Sequence, residues 1–165
     1  MLCAVAVPQV LAGIDRSRAT AAARYITQQC GAARFQAINR SANVALRFQE
    51  QGGEYTMQLF VDRNRNGVRT AEIAAHIDVP LTQPESLGTN FPGVRIGLAD
   101  GLGDHPVRLG ASGLLSFSPL GTATPGSIFI VGKDGTQFAV RVLGATARTR
   151  LERYDPGKRK WASTW

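Results

Sequence analysis

The densest set of side chains able to do chemistry lies at the C-terminal end. Arg148, Arg150 and Arg153 come at alternate or nearly alternate positions, and Lys158, Arg159 and Lys160 follow. Successive side chains of a strand point to opposite faces, so Arg148 and Arg150 share one face if the segment is extended. Cations of this kind neutralise phosphates, and the flat rings of the nearby Tyr154 and Trp161 can stack on bases. The tract is therefore a candidate nucleic-acid surface. The same residues also suit a plain solvated strand face, or pairing with acids of a neighbouring subunit.

A second candidate is the loop Asp62-Arg63-Asn64-Arg65-Asn66-Gly67. Oxygen ligands at alternate positions followed by a glycine match the opening of a calcium loop. The motif then wants a bidentate Glu at its twelfth place. That place is Ile73, with Glu72 one residue early, and Arg63 and Arg65 repel a divalent cation. Asn and Gly also suit a tight turn without any metal. The loop is expected to be a structural turn, with Asp62, Asn64 and Asn66 as the weak calcium candidate. His76 and His105 have no Cys or His at metal spacing. Ser112 lacks nucleophile-elbow spacing, and Asp100 and Asp104 flank a Gly-rich loop without a phosphate-binding motif. Nucleophile, base and cofactor loop do not converge, so the chain reads as a non-enzyme without a cofactor.

Charge is unevenly placed. The net +7 divides into +4 over residues 1–50, −2 over 51–140 and +5 over 141–165. A near-neutral body with two basic ends fits contact with nucleic acid, anionic lipid or an acidic partner. Cys3 and Cys30 are too far apart along a helix for a disulfide, at about 1.5 Å of rise per residue. Cys30 is expected to be a small buried hydrophobe.

Composition changes along the chain. Only Gly13 and Gly31 of the 18 glycines fall in the first fifty residues, and seven of the eight prolines lie at or after Pro80. This marks a shift from helix to strands and turns. Leu11, Ile14, Ala19, Ala22, Ile26, Cys30, Ala33 and Ala37 recur at spacings of three or four, with one step of five between Ile14 and Ala19, which predicts one helix to about residue 40. Strands are expected at Val44–Gln49, Tyr55–Val61, Val94–Leu98, Leu114–Ser118, Ser127–Val131, Gln137–Leu143 and Ala147–Tyr154. Thr70 is expected to cap a short helix reaching His76, residues 80–92 to be irregular, and Asp134-Gly135 to make a two-residue hairpin turn. The fold class is α+β, with a long N-terminal helix packed on an antiparallel sheet or sandwich head, divided as 1–40 and 41–165.

Met1–Ile14 (MLCAVAVPQVLAGI) carries no charge. It runs into DRSRATAAARYI, whose Ala-rich stripe permits close helix packing. The stretch AVAVPQVLAGIDRSRATAAARYI resembles the second half of a type IV pilin-like N-terminal helix. The rest, through ARFQAINR (33–40), VALRFQEQGGEYTMQLFVD (44–62), DRNRNGV (62–68) and the strands of 114–150, resembles the GspH/FimT group of minor pseudopilins. The resemblance implies a leader and the start of the hydrophobic helix ahead of Met1, because 14 uncharged residues fall short of the roughly 20 that span a bilayer. It further implies a single-pass protein of the bacterial inner membrane with its head in the periplasm. Its partners would be the other pseudopilins or pilins of a type II secretion system or type IV pilus. Val5, Val7, Pro8, Leu11, Ile14, Ala19 and Ala22 are then the candidates for assembly and membrane contact. Some members on the FimT side resemble DNA-uptake pilins with a basic Gly-Arg-x-Arg near the C-terminus. The matching stretch is Ala147-Arg148-Thr149-Arg150, without the leading Gly. DNA is the alternative partner.

Overall fold

The computed structural model describes the backbone of residues 6–164, with side chains from Gly13 onward. Val5 lies outside the described residues, as do the side chains of Val7, Pro8 and Leu11. Helix α1 runs from Ala6 to Arg40. It ends in a Schellman turn, in which Ala42 N donates to Ala37 O and Ser41 N to Ile38 O, each at 3.2 Å. Ser41 takes the left-handed position usual for glycine, at φ +49°. Among the described residues no helix is long and apolar enough to cross a membrane.

Two antiparallel sheets follow. The first contains β1 (Val44–Gln51), β2 (Glu54–Val61), β3 (Val79–Pro80), β4 (Glu85–Ser86) and β7 (Leu114–Phe117), in the order β3-β2-β1-β7 with β4 also on β2. The second contains β5 (Arg95–Ile96), β6 (Val107–Arg108), β8 (Gly126–Val131), β9 (Gln137–Leu143), β10 (Arg148–Asp155) and β11 (Lys160–Ser163). Its order is β11-β10-β9-β8-β5, with β6 on β8. Short helices α2 (Thr70–Ala74) and α3 (Leu87–Asn90) sit between strands. The α+β arrangement expected from the sequence is the one observed.

The helix stripe explains why the two sheets close together. Ala19, Ala22, Ala23, Ile26, Cys30, Ala33 and Ala37 are at most 1% exposed. They share one core with Val44, Leu46 and Phe117 of the first sheet and Ile128, Val140 and Leu151 of the second. Small side chains let the helix axis come close to both sheets. A Cβ on Gly132, for example, would lie 2.9 Å from the Ala19 methyl. Burial pushes the Cys30 thiol up to about 12, so it stays protonated. Tyr25 ties the helix to β4 by donating to Glu85 Oε1 at 2.5 Å. Its hydroxyl pKa is raised to about 12, first by burial and then by Glu85. A smaller cluster, Ala45, Phe60, Val68, Ile73 and Leu114, fills the other face of the first sheet.

Several local expectations are corrected. Thr70 does not cap α2: extended Arg69 holds the cap position, its N–H donating to Asp78 Oδ2 at 2.9 Å. The helix stops at Ala74, and His76 turns left-handed at φ +56°. Residues 80–92 are ordered by β4 and α3. The β8–β9 turn is not a two-residue turn. Gly135 alone takes positive φ, Gly135 N donates to Gly132 O, and Gly132 N donates to Thr136 O, which makes a type I turn with a bulge. The β1–β2 turn does have two residues, Gly52 and Gly53, both left-handed and flanked by the pair Gln51 and Glu54. Strand β11 was not expected, because a Lys-Trp-Ala-Ser segment shows no apolar alternation.

Gly126 is where β6 crosses closest to β8. An added Cβ would meet Arg108 O and Leu109 Cδ2 at 2.4 Å each. A backbone oxygen cannot swing away, so Gly126→Ala is expected to destabilise by about 2–3 kcal/mol in urea unfolding. A change below about 0.5 kcal/mol would contradict this packing.

Candidate functional site

Asp62 does structural work. Its Oδ1 accepts from Asn64 N at 3.2 Å and Arg65 N at 2.7 Å, and its Oδ2 from Gly67 N at 2.7 Å and Asn43 Nδ2 at 3.0 Å. Burial pushes its pKa up. The Asn43, Gly67, Arg65 and Asn64 donors together outweigh that and leave the carboxyl below its usual range. Asn64 Oδ1 faces Asn66 N at 3.4 Å, and Asn66 Nδ2 donates to Glu72 Oε1 at 2.7 Å. The oxygens of Asp62 and Asn64 thus point at N–H groups, and the loop is a turn of the kind its Asn and Gly residues favour. Ser112 Oγ likewise accepts from Leu114 N at 3.4 Å, and His105 O accepts from Arg108 Nε at 3.1 Å.

The basic tract is divided by the fold. Arg148 and Arg150 lie on the outer face of the second sheet, both exposed. Register extends that face sideways: Arg150 is opposite Arg141, Arg141 opposite Ser127, and Ser127 opposite Arg108. One row across β10, β9, β8 and β6 therefore carries three arginines. Like charges directly opposite repel, and Glu152 relieves this by accepting from Arg141 Nε at 2.6 Å. Beneath the cations is an aromatic floor. Phe129 and Tyr154 lie 5.4 and 5.2 Å from Trp161, with the Arg108 guanidinium 4.7 Å above Phe129 and that of Arg141 5.7 Å from Trp161. Tyr154 and Trp161, both half-buried, pack on each other, and Arg141 lies over Trp161. Cation–π contacts thus support Arg108 over Phe129 and Arg141 over Trp161. Sequence reading missed Arg108, Arg141 and Phe129, because only strand register brings them together.

Arg153 belongs to the opposite face. With Arg16 of α1 and Arg159 of the β10–β11 turn it lines a cleft of about 620 Å³, bounded by residues 99–102 and 134–137. Lys158 extends into solvent with Asp155 at 4.0 Å, and Lys160 is opposite Asp155 on β11. The one departure from the motif at Ala147 has a geometric counterpart. Ala147 holds φ +50°, a left-handed position that a glycine would take without strain.

The helix candidates also divide. Ala19 and Ala22 are fully buried in this chain's own core, which corrects their assignment to a partner surface. Ile14, in the expected stripe, is instead 41% exposed, so the helix leaves the head between Ile14 and Ala19. Phe35 and Ile38, at 61% and 48% exposed, form a second outward-facing pair one turn apart that the stripe did not reveal.

The features above are a buried small-residue face on a long N-terminal helix and two antiparallel sheets. They agree with the comparison to known families. The model of the family Type II transport protein GspH matches residues 22–146, well over half of the chain. The chain belongs to the GspH family. No curated protein and no solved structure matches it. The matched span covers α1 from Ala22 on and the sheets up to the β9–β10 turn, and so most of the core just described. Membership implies a structural pseudopilin role in type II secretion, in a family that is not one of enzymes, with other pseudopilins of a filament as associates.

Proposed function

We propose that this GspH-family chain is a non-catalytic minor pseudopilin of a type II secretion pseudopilus, held in the inner membrane by α1 with its β head in the periplasm. One observation carries the reading. Among the described side chains of α1 the buried face begins at Ala19, whereas Ile14, at the end of an uncharged run, is exposed. A helix fastened to its head from Ala19 on, with an exposed apolar side chain at Ile14 ahead of it, suits association through Ile14. Ile14→Asp is therefore expected to lower secretion of a type II cargo at least about fivefold, equivalent to roughly 1 kcal/mol of lost association. The urea midpoint of the head should not move. Full secretion by this variant at normal protein levels would contradict the reading.

The second reading is a pilus-associated DNA-binding subunit, and the arginine row favours it. Arg148 and Arg150 stand exposed beside Arg141 and Arg108 on one face. Each phosphate contact contributes about 0.9 to the salt slope, so Arg148→Gln with Arg150→Gln should flatten the slope of duplex DNA binding by about 2. Anisotropy at several salt concentrations measures this. An unchanged slope, or no binding at low salt, would remove the reading.

A further inference from the structure

Three guanidiniums reach the 620 Å³ cleft from three separate elements: Arg16 from α1, Arg153 from β10 and Arg159 from the turn after it. None of the three has a side-chain hydrogen bond or ion pair among the described residues. Two acids share the cleft, but Asp134 is already occupied. Its Oδ1 accepts from Thr136 N at 3.0 Å and its Oδ2 from Thr136 Oγ1 at 2.6 Å. Its charge remains, so three guanidiniums stand against the two carboxylates of Asp100 and Asp134 and the cleft is net positive.

The wall of the cleft is built rather than incidental. Gln137 is only 2% exposed. Its Oε1 accepts from Ala99 N at 2.6 Å, and its Nε2 donates to Ile130 O at 2.9 Å and to Gly97 O and Phe138 O at 3.2 Å. This fastens the 97–102 loop to the β8–β9 hairpin. Gly132 of the same hairpin abuts Ala19, so the cleft is fixed at that level of α1. Arg16 is two residues, about 3 Å of helix rise, beyond Ile14, where the uncharged run ends.

We propose that this cleft docks the phosphate of an anionic phospholipid headgroup. The inference rests on the membrane-held reading above. If the uncharged run enters the bilayer, the three guanidiniums stand at headgroup depth. Their planar forks match phosphate oxygens, and juxtamembrane cations are attracted to anionic lipid. The head is thereby seated on the membrane surface in one orientation, with the arginine row of the outer sheet face elsewhere.

The test is flotation of the full chain with vesicles of phosphatidylcholine alone and of phosphatidylcholine with phosphatidylglycerol. The chain is expected to float with both, and more strongly with phosphatidylglycerol. Cations near an anionic surface contribute about fivefold each, so Arg16→Gln/Arg153→Gln/Arg159→Gln should remove on the order of 100-fold of the phosphatidylglycerol gain. Lys158→Gln/Lys160→Gln, outside the cleft, should remove at most about threefold. All three arginines are exposed, so both variants should keep the unsubstituted urea midpoint. Equal loss per charge in the two variants would show diffuse attraction and overturn the cleft. An unchanged gain in the triple variant would do the same while leaving membrane attachment intact. Failure of the unsubstituted chain to float with either vesicle would overturn membrane attachment itself, and the proposal with it. Shifts of the Arg153 Nε resonance by millimolar inorganic phosphate, without any phosphatidylglycerol gain, would assign the cleft to free anions and overturn the headgroup.

Discussion

Asp62→Ala is expected to lower the unfolding free energy by about 3 kcal/mol. Asp62 is 2% exposed and accepts four hydrogen bonds, three of them from backbone N–H groups that have no other side chain to turn to. Bonds to an ionised group are each worth roughly 1.5–3 kcal/mol, but they share one carboxylate and do not add. The variant leaves the donors of Asn64, Arg65 and Gly67 to whatever water reaches the loop. The pH dependence has a definite sign. The carboxyl pKa is depressed in the folded chain, so its charge-dependent stabilisation is complete above the unfolded value of about 3.9. It is lost as pH falls through the lower folded value. Urea midpoints at pH 7 and pH 3 should therefore fall further for the unsubstituted chain than for Asp62→Asn, which has no charge to lose. A loss under about 1 kcal/mol for Asp62→Ala, or parallel pH profiles, would contradict the assigned role.

Ile26→Ala is expected to cost a similar amount, about 3–4 kcal/mol, for a different reason. Ile26 is the largest side chain on the buried face of α1 and is fully enclosed between the helix and both sheets. Its neighbours along the stripe are alanines and Cys30, which are too small to move into the space left behind. The loss therefore includes the cavity as well as the transfer of the removed methylenes. Phe35→Ala on the outward face of the same helix removes a larger side chain and should change stability by less than about 0.5 kcal/mol. Denaturant unfolding of the two variants side by side checks the helix orientation. Comparable losses would mean that α1 is rotated from the position described.

What the sequence made legible was whatever a single element decides. The period of Ala19, Ala22, Ile26, Cys30, Ala33 and Ala37 identified the buried helix face. The strands expected at Val44–Gln49 and Gln137–Leu143 match β1 to within two residues and β9 in full. In the β1–β2 turn, Gly52 and Gly53 are both left-handed, a conformation that glycine takes without strain. Features set by several elements at once were hidden. Strand β6 has two residues and exists only through pairing with β8, and of the strand expected at Val94–Leu98 only Arg95–Ile96 pairs. Arg108, Arg141 and Arg150 are far apart in the chain and meet only in register. Gln137 read as the polar start of a strand, yet it is buried because three carbonyls and one N–H surround it. Arg153, three residues from Arg150, was grouped with it by proximity, whereas strand alternation sends it to the opposite face and into the cleft with Arg16.

The proposed role depends most on whether the exposed Ile14 of α1 meets other pseudopilins. The most direct measurement places a photo-crosslinking amino acid at Ile14, with a second at the buried Ala22 as control, in cells carrying the secretion machinery. The predicted result is adducts with other pseudopilins from position 14 and none from position 22. The chain made and folded at normal levels, with no pseudopilin adduct from position 14, would contradict it.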